Sequence, residues 1–519
     1  MEFALTGELG FVPDWLATHA CYSPQKTAVV EAGTGRRFTY HQLNALATQL
    51  AHVLVGEGDV QKGDRVSILA PNSAEYLALL FACAKVGAIF VPLNHRLALS
   101  ELVPILQECS PKVLFYGEQF VPTVSKLSEE TKHARCIALG QRADGSHLSL
   151  GELKLPSTPL PPPLLTPEDP WLILYTSGTT GKPRGAILSQ RMITWNAINT
   201  ALRDLLPSDI TLTHTPMFYT GGLNVYTTPL LFLGGTNVIM RSWNAEQALE
   251  WIERERVSMF FAVPTQFLQM IESPRFATAD LSSLRFVISG GAPCPVSIIE
   301  AFAHRGIVFK QGFGLTEVGP NCFCLEGRDS VRKAGSIGFP NFFVRARVVD
   351  DEGRDVAPNV VGELVLQTPA MFSGYWKNPE ATREAVREGW FYTGDLARVD
   401  EEGYFYIAGR KKDMLISGGE NVYPAEVEQA LLAHPKVADA AVIGVPDAKW
   451  GEVGKAIVVL SPGQDATAEE ILEFCRARLA KFKVPKSVVF LKTLPRTDSG
   501  KVAKQQLRRD FGTGRDQQP

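Results

Sequence analysis

Residues 176–185 read Thr176-Ser177-Gly178-Thr179-Thr180-Gly181-Lys182-Pro183-Arg184-Gly185, directly after the apolar run 171–175. The apolar run predicts a short buried strand, and the glycines and hydroxyls after it predict a loop. Glycines let backbone N–H groups turn towards a polyanion, hydroxyls add donors, and the two cations offset negative charge. The spacing is not that of a Walker A loop, because Pro183 follows the lysine where serine or threonine is required. The stretch therefore indicates either a phosphate-holding loop or an ordinary surface turn.

The length, composition and net charge of the chain limit the classes of function that it can have. Its 519 residues exceed what one hydrophobic core usually holds, so two or more folded units are expected. A composition of 45% hydrophobic and 21% charged residues is typical of a globular protein. The formal net charge of -3 provides no overall field that would attract nucleic acid or an anionic membrane. Any bound anion must therefore be held by local geometry.

The compartment is predicted from cysteines and apolar runs. The 8 cysteines form no CxxC pair and are expected to be reduced thiols. No apolar run reaches the roughly 20 residues of a membrane span, and residues 1–20 lack the pattern of a signal peptide. We therefore expect a cytoplasmic protein with no integral membrane segment.

Strand and helix patterns alternate along the first 150 residues. Residues 43–54 and 76–86 are predicted helices, and residues 65–70 and 88–92 are predicted buried strands. Strands interleaved with helices favour parallel α/β layers. The prolines between 151 and 170 then predict a surface connector.

Two further changes of pattern predict the domains. Short strands and turns between Gly338 and Leu366 indicate a β-rich part, and the residues after Gly409 predict a compact α+β unit. The predicted fold class is α/β: a large N-terminal domain (1–409) of layered α/β subdomains plus a β-rich part, and a small C-terminal domain (410–519). In the small domain, helices are predicted at 424–433 and 468–479, and strands at 437–444, 455–460 and 487–491.

Several short blocks, in order along residues 10–510, resemble the signature motifs of the adenylate-forming superfamily. This superfamily includes acyl-CoA synthetases of the AMP-dependent synthetase and ligase family, firefly-type luciferases and peptide-synthetase adenylation domains. The matching blocks lie at 175–185, 215–224, 289–293, 311–317, 390–395, 417–424 and 494–502. One glycine-rich loop would be weak evidence, but the ordered series is specific.

The resemblance implies a site for ATP and AMP. The residues expected to bind the nucleotide are Thr176, Ser177, Gly178, Thr179, Thr180, Gly181, Lys182, Gly290, Gly291, Ala292, Gln311, Gly312, Phe313, Gly314, Leu315, Asp395 and Arg410. Among the catalytic residues, Thr316 is expected to contact phosphate and Glu317 to hold Mg²⁺, a hard cation that prefers carboxylate oxygen. Asp395 is expected to accept from the two ribose hydroxyls, and Arg410 to contact ribose or phosphate.

The resemblance also assigns roles to the small domain. Lys412 is the expected pivot of a mobile C-terminal domain, and Gly418 and Gly419 belong to a loop that enters the site for the coenzyme A step. Lys501 is the expected catalytic lysine of the first step. A carboxylate that approaches an anionic phosphate is repelled by several kcal/mol once water is excluded from the site. A bridging ammonium lowers that barrier.

The residues of the expected acid pocket are Phe218, Tyr219, Asn224, Val225 and Pro264, with residues around Gly312 and Asn321. Many members of the superfamily have histidine where this chain has Tyr219, so we expect Tyr219 to shape the pocket and not to assist adenylation. No basic side chain among these residues would recognise a second carboxylate. A fatty or aryl monocarboxylic acid is therefore predicted, with the two classes left open.

The resulting prediction is an ATP-dependent acyl-CoA synthetase that uses ATP, Mg²⁺ and coenzyme A and releases AMP and pyrophosphate. Three alternatives stay open: a stand-alone enzyme that loads a carrier protein, a luciferase-like oxygenase, and a nucleotide-binding pseudoenzyme. The oxygenase shares the adenylation motifs, and the pseudoenzyme is disfavoured by intact Thr316, Glu317, Asp395 and Lys501. A homodimer is also left open by the sequence.

Overall fold

The computed structural model describes residues 12–130, 134–140, 148–150, 156–176, 183–292, 294–417, 420–447, 449–497 and 501–512. The α-helices in these ranges are α1 (Trp15–Tyr22), α2 (Tyr40–Gly56), α3 (Ala74–Val86), α4 (Leu99–Cys109), α5 (Val121–Glu130), α6 (Gln190–Ala201), α7 (Thr220–Leu223), α8 (Thr227–Leu233), α9 (Ala245–Glu255), α10 (Pro264–Glu272), α11 (Arg275–Thr278), α12 (Val296–His304), α13 (Pro379–Ala385), α14 (Pro424–Leu432), α15 (Ala468–Arg476) and α16 (Lys504–Phe511).

The strands are β1 (Thr27–Glu31), β2 (Arg37–Thr39), β3 (Arg65–Leu69), β4 (Ile89–Pro92), β5 (Val113–Tyr116), β6 (Arg135–Ala138), β7 (Leu148–Ser149), β8 (Pro170–Thr176), β9 (Arg184–Ser189), β10 (Ile210–Thr213), β11 (Thr236–Ile239), β12 (Met259–Ala262), β13 (Phe286–Ser289), β14 (Val308–Leu315), β15 (Gly319–Leu325), β16 (Ser336–Pro340), β17 (Arg345–Val349), β18 (Gly362–Gln367), β19 (Gly374–Tyr375), β20 (Val386–Arg387), β21 (Trp390–Val399), β22 (Phe405–Arg410), β23 (Leu415–Ser417), β24 (Glu420–Val422), β25 (Val437–Asp447), β26 (Gly451–Leu460) and β27 (Ser487–Phe490).

The described strands form three sheets. The largest has the order β17-β18-β21-β22-β16-β15-β14-β13-β12-β10-β11-β1-β2, with β20 beside β21. Its strands are parallel from β1 to β14 and antiparallel from β14 to β17. The second sheet has the order β19-β9-β8-β4-β3-β5-β6-β7, and the third has β24-β23-β26-β25 with β27 beside β26. The largest sheet therefore contains both a parallel α/β half and the β-rich part predicted from the sequence.

One hydrophobic core joins the first two sheets through the helices between them. Its central helices, α2 and α3, are almost entirely buried on the side that faces the sheets. Helix α2 begins where Thr39 and Gln42 form a reciprocal cap, in which each side-chain oxygen accepts from the other residue's backbone N–H. Trp15 and Trp171 meet edge to face at 5.3 Å in the same core. This packing holds the second sheet against the first, and with it strands β8 and β9, which flank the predicted phosphate loop.

The third sheet has its own hydrophobic cores. One consists of residues between Leu415 and Phe490, and the other of residues between Ala441 and Phe511. The core of the first two sheets extends no further along the chain than Ile407. The predicted fold class, layered α/β with a β-rich part and a smaller α+β part, is confirmed.

A few elements differ from the sequence predictions. The hairpin of β23 and β24 lies where only a loop was expected, and α15 ends at Arg476 and not at residue 479. Helix α16 was not predicted, because half of its residues are charged and only Leu507 is buried. Among the described residues, no helix combines the length and apolar character needed to cross a membrane.

Candidate functional site

The centre of the site lies where the parallel pairing of three strands ends. Ala262 and Ser289 are the last residues of β12 and β13, and Gln311 is their register neighbour in the middle of β14. Ligands of α/β sheets commonly bind at this edge. Gly290 follows β13, and a Cβ there would lie 3.1 Å from Phe261 Cε2 and 3.2 Å from the Gly312 carbonyl oxygen. Glycine therefore keeps the floor of the site flat beside the expected adenine position.

Three buried polar atoms, two at this edge and one on β21, have no hydrogen-bond partner in the described parts of the chain. They are Ser289 Oγ, Gln311 Nε2 and Asp395 Oδ2. Most buried polar atoms in folded proteins are paired, so each such exception needs an explanation. Gln311 and Asp395 are predicted nucleotide-binding residues, and a polar ligand would satisfy these atoms.

Asp395 and Arg410 face each other across β21 and β22. The two residues are register partners, and Arg410 Nε lies 2.6 Å from Asp395 Oδ1. Asp395 is only 3% exposed. Burial raises the pKa of its carboxyl to about 6, although the positive charges of Arg410 and Lys501 act in the opposite direction. The second carboxylate oxygen is left to accept from a ligand.

Glu317 lies just after β14 and is held by an aromatic side chain from a distant segment. Tyr375 Oη donates to Glu317 Oε1 at 2.9 Å. Tyr375 is fixed because β19 pairs with β9, the strand that follows the predicted phosphate loop. Burial raises the pKa of Glu317, against the Tyr375 hydrogen bond and the charges of Arg410 and Lys501. Sequence reasoning missed Tyr375, because nothing in its local pattern connects it with a residue 58 positions away.

Lys501 reaches the same site from the end of the chain. Its carbonyl oxygen accepts from the Thr497 backbone N–H at 2.7 Å. The residue's surface is exposed, but many protein atoms surround its ammonium at longer range. This burial and then Arg410 lower the pKa of Lys501, whereas Asp395 and Glu317 raise it. Four predicted site residues therefore lie close enough for their charges to interact.

The aromatic wall of the predicted acid pocket consists of three rings. The rings of Phe218 and Tyr219 are 4.6 Å apart, and Asn94 Nδ2 donates to Tyr219 Oη at 3.3 Å. The ring of Phe261 lies between two glycines, since a Cβ at Gly221 would be 3.3 Å from it and one at Gly290 3.1 Å. Pro264 is buried at the start of α10, just after β12, the strand that carries Phe261.

A histidine near the pocket supports the backbone and is neutral. His214 Nε2 donates to the Phe261 carbonyl oxygen at 2.9 Å, and Gln266 Nε2 donates to His214 Nδ1 at 3.4 Å. Because a carbonyl can only accept, Nε2 carries the proton. Burial lowers the pKa of His214 to about 4. This histidine therefore does not supply the charge that Tyr219 lacks.

Asn224 and Val225 take part through their backbones. Both are buried, and their carbonyl oxygens accept from Asn196 Nδ2 at 2.7 Å and Asn321 Nδ2 at 3.0 Å respectively. Behind Asn321 lies a cavity lined by Thr200, Arg203, Tyr226, Ile288, Lys310, Asn321, Phe323, Cys324 and Asn341. This small cavity presents both polar side chains and apolar surface next to Asn321.

This cavity changes one sequence interpretation. No basic side chain was expected near the acid, yet Arg203 and Lys310 line the space behind Asn321. Both are paired: Lys310 Nζ lies 2.7 Å from Asp204 and 3.0 Å from Glu326, and Arg203 lies 3.1 Å from Glu326. Sequence reasoning missed them because Arg203, which follows α6, and Lys310 of β14 approach each other only in the fold.

The remaining predicted site residues have different environments, and some lie outside the described residues. Ser177, Gly178, Thr179, Thr180, Gly181, Lys182, Gly418 and Gly419 lie outside the described residues. Thr176 closes the β8–β9 hairpin through Oγ1, which donates to the Arg184 carbonyl at 3.3 Å. Gly291 and Ala292 are exposed, and Gly314, Leu315 and Thr316 are half-buried along the site. The Phe313 ring packs on Phe323 at 5.8 Å. Lys412 is exposed in the turn between β22 and β23.

Comparison with known proteins agrees with this geometry. The profile of the AMP-binding enzyme family matches residues 16–376, and that of the AMP-binding enzyme C-terminal domain matches residues 426–501. The chain is 42% identical to a feruloyl-CoA synthase of Amycolatopsis sp over 96% of this chain and 98% of the relative. It is 39% identical to a long-chain-fatty-acid–CoA ligase of Mycobacterium tuberculosis over 96% and 97%. The crystal structure of ATP-bound MatB from Rhodopseudomonas palustris superposes with a TM-score of 0.88 at 31% identity, covering 96% and 99%.

The chain belongs to the AMP-binding enzyme family, within the adenylate-forming superfamily. It is an ATP-dependent, AMP-forming acyl-CoA synthetase whose substrates are a carboxylic acid, ATP and coenzyme A. The predicted function class is confirmed. The roles of the individual site residues stay predictions.

Proposed function

We propose that this acyl-CoA synthetase activates an aryl monocarboxylic acid. The observation that carries the proposal is the set of aromatic rings in the predicted pocket: the rings of Phe218 and Tyr219 lie 4.6 Å apart, and the ring of Phe261 packs against Gly290. A flat ring stacks on aromatic side chains and fits against glycine backbone. The similarity to a feruloyl-CoA synthase supports the same class.

The cavity behind Asn321 disfavours an acid with a second carboxylate. Arg203 and Lys310 are already paired with Asp204 and Glu326, so a second carboxylate would compete with two existing anions. Thr200 Oγ1 and the Asn341 amide are likewise hydrogen-bonded within the protein, and the cavity is small. A compact ring with a small substituent fits such a space better than a long alkyl chain. A fatty monocarboxylate is the second candidate, favoured by the 39% identical fatty-acid ligase.

In the first step, an oxygen of the acid attacks the α-phosphorus of ATP and pyrophosphate leaves. We propose that the Lys501 ammonium bridges the incoming carboxylate and the α-phosphate, and that Asp395 holds the ribose hydroxyls. Thr316, the backbone at Gly290 and the loop 177–182 would contact phosphate and adenine. Asp395 and Arg410 are already paired at 2.6 Å, so the ribose acceptor is oriented before ATP arrives.

Glu317 fits the expected Mg²⁺. Its pKa is raised by burial, so the ionised carboxylate gains from a cation. Magnesium bound with nucleotide usually takes one or two carboxylates plus phosphate oxygens, and the described residues contain no cluster of three or more metal-binding side chains. When bound, Mg²⁺ would offset charge on the leaving pyrophosphate.

In the second step, the coenzyme A thiol attacks the acyl carbon and AMP leaves. We propose a boundary near residues 409–410 and a rotation of the C-terminal domain about Lys412, which withdraws Lys501 and brings in Gly418 and Gly419. The separate hydrophobic cores on either side of the boundary support independent movement. A cytoplasmic location is part of the proposal, since ATP, coenzyme A and free thiols are typical of that compartment.

The substrate class is tested with a panel of acids. Release of AMP and formation of thioester are measured with hydroxycinnamic, arylacetic, C8–C16 fatty and dicarboxylic acids. We expect kcat/KM for the best aryl acid to exceed that for any fatty acid by about tenfold or more. A fatty acid as the best substrate would contradict the aryl proposal. Adenylate formation without a coenzyme A thioester would contradict the choice of acceptor.

One variant tests whether the Phe261 ring favours aryl acids over fatty acids. Phe261→Leu keeps an apolar side chain but removes the ring between the two glycines. We expect kcat/KM to fall about fivefold or more for aryl acids and less than twofold for fatty acids. An equal fall for both classes would contradict the stacking role.

A further inference from the structure

The carboxylate of Glu363 makes two contacts beside the nucleotide site. Glu363 lies in β18, next to the strand that carries Asp395. Its Oε1 accepts from the Gly394 backbone N–H at 3.2 Å, and its Oε2 lies 3.1 Å from Lys411 Nζ. The side chain is only 13% exposed. Neither Glu363 nor Lys411 was singled out by the sequence motifs.

The first contact fixes the turn in front of Asp395. Gly394 has a φ of +69°, in the left-handed region that favours glycine. Thr393 Oγ1 donates to the Leu364 carbonyl at 2.7 Å on the other side of the turn. The turn is thus attached to β18 by one hydroxyl and one carboxylate, and its attachment determines where the Asp395 carboxylate points.

The second contact fixes the chain in front of the proposed pivot. Lys411 follows Arg410, the partner of Asp395, and precedes Lys412. Glu363, Gly394, Asp395, Arg410 and Lys411 form a closed ring, in which each member is bonded to the next along the chain or through space. Lys411 Nζ also lies 2.9 Å from Asp351, but that side chain is 83% exposed. Exposed pairs contribute little, whereas partly buried pairs contribute more.

We propose that Glu363 is a positioning residue that fastens the ribose-binding turn to the fixed side of the pivot, so that the AMP group stays held while the C-terminal domain rotates. The proposal rests on the proposed rotation about Lys412. With Lys411 anchored to β18, the change in backbone angles is confined to residues after it. Without the anchor, movement of the pivot would be transmitted through Arg410 to Asp395.

Three variants separate the two contacts. Glu363→Gln keeps an oxygen for the Gly394 N–H and removes the ion pair with Lys411. Lys411→Met removes the same ion pair from the other side, and Glu363→Ala removes both contacts. Asp351→Asn is the matched control, because it removes only the exposed partner of Lys411.

The first readout is AMP affinity, measured by calorimetry without any acid. We expect Glu363→Ala to weaken AMP binding about tenfold, Glu363→Gln and Lys411→Met about threefold, and Asp351→Asn not at all. The double variant Glu363→Gln/Lys411→Met should be no weaker than either single variant, because both remove one ion pair. Because no acid is used, this result is independent of the substrate proposal.

The second readout is leakage of the intermediate. With ATP and acid but no coenzyme A, we expect Glu363→Ala to release acyl-adenylate into solution about tenfold faster than the wild type, with kcat for pyrophosphate exchange within about twofold. AMP affinity and leakage equal to those of Asp351→Asn would overturn the proposal. So would a fall in kcat with AMP affinity unchanged. If Glu363→Ala does not fold, Glu363→Gln and Lys411→Met decide by the same criteria.

Discussion

Asp395 and Lys501 belong to the same candidate site but are held in opposite ways. Asp395 lies in a ten-residue strand, is 3% exposed and is fixed by Arg410 across the strand pair. Lys501 is exposed and follows the third sheet in the chain, where its carbonyl accepts from the Thr497 N–H and the nearby Arg496 forms an ion pair with Asp439 of β25. Asp395 is therefore held by a strand of the largest sheet, whereas Lys501 is held by the C-terminal part of the chain.

The difference follows from what each step of the reaction needs. In the proposed mechanism the AMP group is held from adenylate formation until thioester formation, so its ribose acceptor can be rigid. In the same mechanism the lysine acts while carboxylate and phosphate meet, and would then lie in the path of the thiol. A rigid element suits the first task and a removable loop suits the second. Variants at the two positions should therefore fail in different half-reactions.

The largest effect is expected for Lys501→Ala. Removal of the ammonium leaves two anions to approach each other without a bridge, so adenylate formation should fall by roughly 100-fold or more. Thioester formation from supplied acyl-adenylate should stay within about threefold of the wild type. Pyrophosphate exchange and a thiol-trapping assay measure the two steps. Lys492→Ala, an exposed lysine in the same terminal segment, is the control. Equal losses in both steps would contradict the division of labour.

The next effect in size is expected for Asp395→Ala, which should damage both half-reactions. Loss of the ribose acceptor should raise the KM for ATP roughly 10- to 100-fold and weaken retention of acyl-adenylate to a similar extent. The two assays used for Lys501 measure both quantities. A loss confined to adenylate formation would show that Asp395 acts only with Lys501, and would remove the contrast between the two regions.

A smaller effect is expected from pH. In the nucleotide-free protein the pKa of Asp395 is raised to about 6, so its carboxyl is mostly protonated below pH 6 and mostly ionised above it. The ionised form is the better acceptor for ribose hydroxyls. The KM for ATP should therefore rise about tenfold per pH unit below pH 6 and be flat above pH 7. Asp395→Asn should have a higher KM with a flatter profile below pH 7. An unchanged profile in that variant would assign the titration to another group, such as Glu317.

The smallest effect is expected for Tyr375→Phe, which alters the fixed region without removing a charge. Loss of one hydrogen bond to Glu317 should cost about 1 kcal/mol, which is about fivefold in the Mg²⁺ concentration for half-maximal adenylate formation. A magnesium titration measures it. Tyr392→Phe, whose ring stacks with Arg387 in the β-rich part, is the control. No change for Tyr375→Phe relative to this control would mean that Glu317 is positioned by its backbone alone.

Sequence reasoning worked where a residue's environment is set by its own strand. The strands predicted at 65–70, 88–92 and 171–175 from the apolar pattern are present as β3, β4 and β8. Asp395 and Arg410 become partners because two adjacent antiparallel strands bring them into register. Motif residues next to these strands could therefore be assigned to one site.

The contacts that sequence reasoning missed join segments far apart in the chain. Tyr375 reaches Glu317, Glu363 reaches Lys411, and Lys310 reaches Asp204 only after the sheets have packed. Each is a polar pair whose members have ordinary surface patterns in the sequence. The hairpin of β23 and β24 was missed for a similar reason, because its strands are too short to show an alternation.

The most direct test of the two-region account is a rapid-quench, single-turnover experiment with labelled ATP and the best aryl acid. Without coenzyme A, the wild type should convert ATP to enzyme-bound acyl-adenylate in a burst equal to the enzyme concentration, and Lys501→Ala should show no burst. Added coenzyme A should then discharge the adenylate as thioester. A wild type that forms no adenylate before coenzyme A is added, or a Lys501→Ala variant with a normal burst, would contradict the account.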